Sequence, residues 1–185
     1  MEAARLSWVS VDDYLREERT SPVRHEYVAG AVYAMAGASE EHTTIAGNLH
    51  AALHAHLRGK SRKVFMVDMK LRLAAGPKDA FYYPDVMVTC DPRDTDRYSK
   101  RFPKVIVEVL SPDTERIDRG EKFLAYTNVE TLDEYVLIAQ DRTEVTVFRR
   151  STDWTAEILA DKNDELVLTS IDFSIRLASV FEGVG

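Results

Sequence analysis

A carboxylate stands in the middle of an unbroken apolar run, Val105-Ile106-Val107-Glu108-Val109-Leu110, closed by Pro103 on one side and Ser111-Pro112 on the other. A run rich in β-branched residues and bounded by turn formers reads as a buried strand. Burying a charge there is costly unless something pairs with it, so Glu108 calls for a metal ion or a cation at its side. Two charged residues are candidates for its company. Asp85 follows Tyr83-Pro84 and opens a second apolar run, Val86-Met87-Val88, and Lys122 lies one short loop beyond Glu108 in a stretch with helical character.

The remaining elements follow from local pattern. Ser10-Val11-Asp12-Asp13 has the form of a helix start, with the helix running to about residue 19. Residues 24–28 and 31–35 read as two strands around a tight turn in which Gly30 supplies the positive φ, with Glu26 inside the first. Ser39 caps a long helix whose Ile45, Leu49, Leu53 and Leu57 recur every four residues, and which ends at Gly59. Short strands are expected at 63–67 and 70–73, then a loop at 74–80 marked by Gly76-Pro77, then one strand over 81–88 carrying Asp85 near its start. A polar loop at 91–103 leads to the Glu108 strand. Ser111 to Thr114 forms a turn and cap, and a helix spans 117–128 with Phe123, Leu124 and Tyr126 buried. A hairpin of 135–139 with 144–148, one or two strands through 154–168 and an amphipathic segment around Leu177, Val180 and Phe181 complete the chain. The order implies an α/β fold, a mixed sheet flanked by helices, in one domain over residues 1–185.

Composition narrows the function classes. With 185 residues and the single cysteine Cys90, the chain needs no disulfide framework. Glu2 and Arg5 follow Met1 with no apolar leader, and no run approaches the roughly 18 residues of a membrane span, so the chain reads as soluble and cytoplasmic, without a membrane partner. A net charge of −7 argues against a generic nucleic-acid coat. The six basic residues between Arg58 and Arg72, against the one acid Asp68, read as a solvated loop and edge strands ahead of a phosphate-binding face. His42, His50, His54 and His56 share the long helix. Without an H-E-x-x-H or a cysteine pair they read as surface or interface residues, with contact to a phosphate open to His42.

Asp85 and Glu108, on neighbouring strands joined by the polar loop, can share one site. Two carboxylates suit Mg²⁺ or Mn²⁺, which take one or two protein carboxylates and leave the other positions to water and phosphate. A metal so held activates water and stabilises charge on a phosphoryl oxygen, and Lys122 adds a positive charge to the same pocket. Hydrolysis of a phosphodiester follows from that set.

Pro84-Asp85, the segment Val107 to Pro112, the segment Asp118 to Tyr126 and the segment Leu132 to Ile138 together resemble the Uma2 family (DUF820), a branch of the PD-(D/E)xK restriction-endonuclease-like superfamily. His25 to Gly30 and Gly37 to His42 extend the resemblance over nearly the whole chain. It implies a restriction-endonuclease-like mixed sheet flanked by helices and a Mg²⁺- or Mn²⁺-dependent endonuclease acting on DNA. Asp85 matches the acid of the PD element and Glu108 that of the (D/E)xK element. Leu110 stands where the lysine is expected, and Lys122 matches a lysine moved to the following helix. Glu26 resembles the further acid from an early element, so the metal set is Asp85, Glu108 and Glu26. Ala139 departs from an Asp common at that position, outside the core motif.

Simpler roles stand beside these. Glu26 fits an exposed strand position, Asp85 a turn cap, and Lys122 a surface pair with Asp118 four residues earlier. Tyr126, one helical turn after Lys122, can point its hydroxyl into the same pocket, with the core as the commoner place for it; Ser111 fits a turn, and Cys90 an inert apolar setting. A single short domain offers little surface to a duplex, so a homodimer with two sites is expected. The competing class is a non-catalytic dimeric interaction protein that keeps the nuclease fold.

Overall fold

The computed structural model describes residues 8–73, 79–112 and 114–185. Helix α1 (Val11–Glu18) is capped by Ser10, whose side chain accepts from Asp13 N. Strands β1 (His25–Val28) and β2 (Ala31–Ala34) form a hairpin, followed by the long helix α2 (Glu40–Leu57). Next come β3 (Lys63–Met66), β4 (Lys70–Leu73), β5 (Ala80–Tyr82), β6 (Val86–Thr89), β7 (Ser99–Lys100) and β8 (Pro103–Leu110). A helical segment then runs through α3 (Glu115–Ile117), a π-helical turn (Asp118–Lys122) and α4 (Phe123–Thr127). The chain closes with β9 (Glu134–Ala139), β10 (Val145–Arg149), β11 (Ala156–Leu159), β12 (Glu165–Leu168), β13 (Phe173–Arg176) and α5 (Leu177–Val180).

The strands form a six-stranded mixed sheet, β11-β10-β9-β8-β6-β3, a five-stranded sheet, β2-β1-β5-β4-β7, and the ribbon β12-β13. Within the large sheet β8 and β9 run parallel, so the chain must cross over between them, and the segment 115–127 is that crossover. This is the α/β, mixed-sheet class that the element order implies.

Side chains alternate across a strand, and β8 shows what that does to a core. Val105, Val107 and Val109 join Ile45, Leu49, Leu53 and Leu57 of α2 in one buried cluster. Ile106 and Leu110 instead join Tyr126, Leu71, Tyr82 and Tyr135 in a second. Glu108 shares the face of Ile106 and Leu110, so period-two geometry aims it at the crossover and the small sheet. The same alternation on β1 sends Tyr27 to Tyr14 and Phe81, leaving Glu26 on the face of Val28, which packs against the second cluster.

Several expectations change. The run 81–88 is two strands in two sheets: Tyr82 ends β5 in the small sheet and Val86 starts β6 in the large one. Pro84 lacks the N–H a ladder needs, and the chain changes sheets around it. The polar loop 91–103 contains β7, paired with β4, and β13 adds a further strand opposite β12. The helix expected from 117 starts at Glu115, and Leu124, expected inside, is 64% exposed. In the β1–β2 turn Ala29 (φ +49°) as well as Gly30 (φ +94°) is left-handed, the pair that a tight antiparallel turn favours. The loop around Gly76-Pro77, the polar start at Glu2 and Arg5, and Asp113 lie outside the described residues. Among the described residues no helix is long and apolar enough to cross a membrane.

Candidate active site

Lys122 is the point on which the charged residues converge. Its Nζ lies 3.0 Å from Glu26 Oε1, 3.3 Å from Glu108 Oε1 and 3.1 Å from Asp118 Oδ1. The three carboxylates come from β1, β8 and the crossover, so three elements must pack before the cluster exists. Asp118, Lys122 and Tyr126 are four residues apart in succession and all buried, because side chains at that spacing share one helix face. Tyr126 donates its hydroxyl to Glu108 Oε1 at 2.9 Å. The π turn from Asp118 to Lys122 is the irregular part of this helix, a feature common where a helix is shaped for function.

Asp85 sits one residue before the first paired residue of β6, next to Glu108: Val86 is opposite Val107, and Asp85 N donates to Glu108 Oε2 at 3.3 Å. Its own Oδ2 accepts from Val109 N at 2.7 Å and lies 3.2 Å from His42 Nε2. The first turn of α2 positions that imidazole, with Ser39 Oγ capping His42 N at 3.2 Å. His42 therefore belongs to the site's edge and not to the surface, whereas His54 on the same helix is exposed. Ser111 is a turn former, its Oγ accepting from Thr114 N.

Electrostatics follows from the count of charges. Four carboxylates, Glu26, Asp85, Glu108 and Asp118, face one ammonium and one imidazole. Burial raises the Glu108 pKa well above the usual glutamate range; Lys122 opposes this, and Asp118, Asp85 and Glu26 reinforce it. For Lys122, burial alone would favour the neutral amine, but the charges of Glu108, Glu26 and Asp118 outweigh it and hold the ammonium well above its ordinary value. Burial would also lower the His42 pKa, and the hydrogen bond and charge of Asp85 turn the shift upward.

Glu26, Asp85 and Glu108 offer the carboxylate oxygens that a hard divalent cation takes, in a cluster where carboxylates outnumber cations. Among the described residues no three such side chains stand ready-made as ligands, because the oxygens are arranged around the ammonium.

Glu26, Asp85, Glu108 and Lys122 are thus brought together. Sequence reasoning undervalued three neighbours. Asp118 reads as the surface partner of Lys122 but is 2% exposed, Tyr126 reads as core but its hydroxyl binds Glu108, and His42 reads as surface. The signal for the first two was the column Asp118, Lys122, Tyr126 itself; His42 had none beyond its place at a helix start.

Residues 11–178 match the model of the Uma2 family, which carries the description "Putative restriction endonuclease". The chain belongs to the Uma2 family. Two Synechocystis sp. relatives support the membership. "Uncharacterized protein slr1290" is 35% identical over 180 residues, covering 95% of this chain and 93% of that one, and "Uncharacterized protein sll1609" is 30% identical over 171 residues, covering 90% and 96%. This Uma2 chain also superposes on a solved structure from Anabaena variabilis described as "a putative nuclease belonging to DUF820", with a TM-score of 0.75 and 16% identity over 94% of this chain and 97% of that one. At that identity the likeness is one of fold.

Proposed function

We propose that this Uma2 protein is a metal-dependent endonuclease that hydrolyses phosphodiester bonds of DNA. The observation that carries the reading is the cluster itself: Glu26 and Glu108 within 3.0 and 3.3 Å of Lys122 Nζ, with Asp85 N donating to Glu108 Oε2 at 3.3 Å. Asp85, Glu108 and Glu26 would hold Mg²⁺ or Mn²⁺. When bound, such an ion supplies Lewis acidity toward a phosphoryl oxygen and lowers the pKa of a coordinated water.

The chain's own groups have separable tasks. Lys122 presents a fixed positive charge to the oxygen on which negative charge grows in the transition state. Tyr126 OH and Asp85 N hold the two oxygens of Glu108, and Val109 N with His42 holds Asp85, so the carboxylates need not reorganise during reaction. Side-chain exposures of 18% for both Glu26 and Asp85, against 4% for Glu108, put the solvent opening on the side of Glu26 and Asp85. A scissile phosphate enters there. A homodimer belongs to the same proposal: β2 is the edge of the small sheet and exposes Val32 and Tyr33.

A net charge of −7 favours a second reading, a non-catalytic interaction protein on the same fold. Nicking of supercoiled plasmid in Mg²⁺ or Mn²⁺ separates the two. The nuclease reading expects cleavage by the wild type, none by Glu108→Ala and severely slowed but measurable cleavage by Lys122→Met. Wild-type protein that neither nicks DNA nor gains thermal stability from millimolar metal sinks it.

A further inference from the structure

Glu26 and Glu108 each have two claimants, the Lys122 ammonium that they bind here and the divalent ion assigned to them above. A monovalent and a divalent cation repel one another at one carboxylate, so taking up the ion weakens the hold of Glu26 and Glu108 on the lysine. One partner keeps its full charge for the ammonium. Asp118 lies one turn before Lys122 on the same helical segment, its Oδ1 3.1 Å from Nζ and its side chain 3% exposed. That oxygen receives no well-directed hydrogen bond in the present arrangement, so it has acceptor capacity to spare once the ammonium turns away from Glu26 and Glu108. Its backbone is anchored as well, since Asp118 O accepts from the buried Tyr135 hydroxyl at 3.0 Å.

We propose that Asp118 is the positioning residue of Lys122, the carboxylate that retains the ammonium inside the site after the metal has taken Glu26 and Glu108. The proposal rests on the metal-dependent reading above. Asp118 itself touches neither phosphate nor metal; it acts through the lysine. The π turn, by holding Asp118 and Lys122 together against Glu108, keeps the pair where the phosphate enters.

The test reads Lys122 directly. Full-length protein saturated with Mg²⁺ is treated with an amine-acylating reagent, and modification of Lys122 is followed by peptide mass spectrometry. In the wild type Lys122 should stay protected when Mg²⁺ is added; labelling as fast as that of an exposed lysine would overturn the proposal without any variant being made. Asp118→Asn should raise the Lys122 labelling rate in Mg²⁺ by about tenfold while calorimetric Mg²⁺ affinity stays within about twofold. Asp118→Glu, which restores the charge, should restore protection. A fall of about tenfold or more in Mg²⁺ affinity for Asp118→Asn would instead make Asp118 a ligand. In plasmid nicking, Asp118→Asn should lower kcat with KM little changed, and adding it to Lys122→Met should cost nothing further, because both remove one interaction. Labelling and affinity as expected in a wild type that cuts no DNA would uphold the pairing and overturn the nuclease reading. Wild type that takes up no Mg²⁺ overturns both.

Discussion

Glu108 is held in a cluster with more negative than positive charge, and this fixes the sign of its pH dependence. Its folded pKa lies above the usual value of 4.5, so the folded protein binds the proton more tightly than the unfolded chain does. Stability therefore falls as pH rises from about 4.5 toward the raised value. His42 adds a slope of the same sign above its ordinary 6.5, because its favourable contact with Asp85 is fully present below that pH and lost as the imidazole deprotonates. Lys122 contributes no slope here, since its stabilisation persists up to its ordinary 10.5 and beyond. Urea denaturation of metal-free protein from pH 4.5 to 7 should show the decline, and Glu108→Gln should flatten it. An unchanged slope in that variant would remove Glu108 as the source. Deleting the one ammonium is a harsher change. Lys122→Met leaves the buried Glu108 and Asp118 and the half-buried Glu26 without their counter-charge and should cost about 3–5 kcal/mol near neutrality, the range for breaking a buried pair. Lowering the pH should recover part of that loss, and the same denaturation series reads it.

What the chain discloses about its elements depends on how local their causes are. Helix α2 is legible because Ile45, Leu49, Leu53 and Leu57 repeat with the period of the helix, and β8 because Val105 to Leu110 is apolar between prolines. The two residues of β7 are not legible, since they become a strand by pairing with β4 far along the chain. Pro84 was visible, but nothing near it says that the chain changes sheets there. The π turn leaves no residue signature, and with it went Asp118: an acid four residues before a lysine looks like a solvated pair until the tertiary fold covers it. Glu26, Asp85, Glu108 and Lys122 could be singled out because each breaks its local pattern or matches the family motif. At this scale the cap of α2 is testable. Ser39→Ala removes the acceptor for His42 N and should lower stability by about 1 kcal/mol, seen as a lower denaturation midpoint at unchanged m-value. It should also loosen His42 over Asp85, visible as a shifted imidazole titration by NMR.

Over the whole molecule, the cluster joins the two sheets and the crossover at one point. Glu26 belongs to the small sheet, Glu108 to the large one and Lys122 to the crossover. A cation drawing on both Glu26 and Glu108 therefore clamps the two sheets. Millimolar Mg²⁺ should slow amide exchange in the β1–β2 hairpin and in the segment 115–127 together, while leaving the β12–β13 ribbon unaffected. Protection confined to one of the first two regions would mean that the ion does not bridge them. The crossover has a further consequence for finding such proteins. A text pattern of acid, any residue, lysine fails at Glu108, where Leu110 stands, and matches instead Asp68-Met69-Lys70, whose acid is an exposed partner of Arg24. A spatial template made of Glu26 Oε1, Glu108 Oε1 and an amine nitrogen 3.0 and 3.3 Å from them does not depend on which segment delivers the amine, and it would retrieve chains whose lysine has changed address while its destination stayed the same.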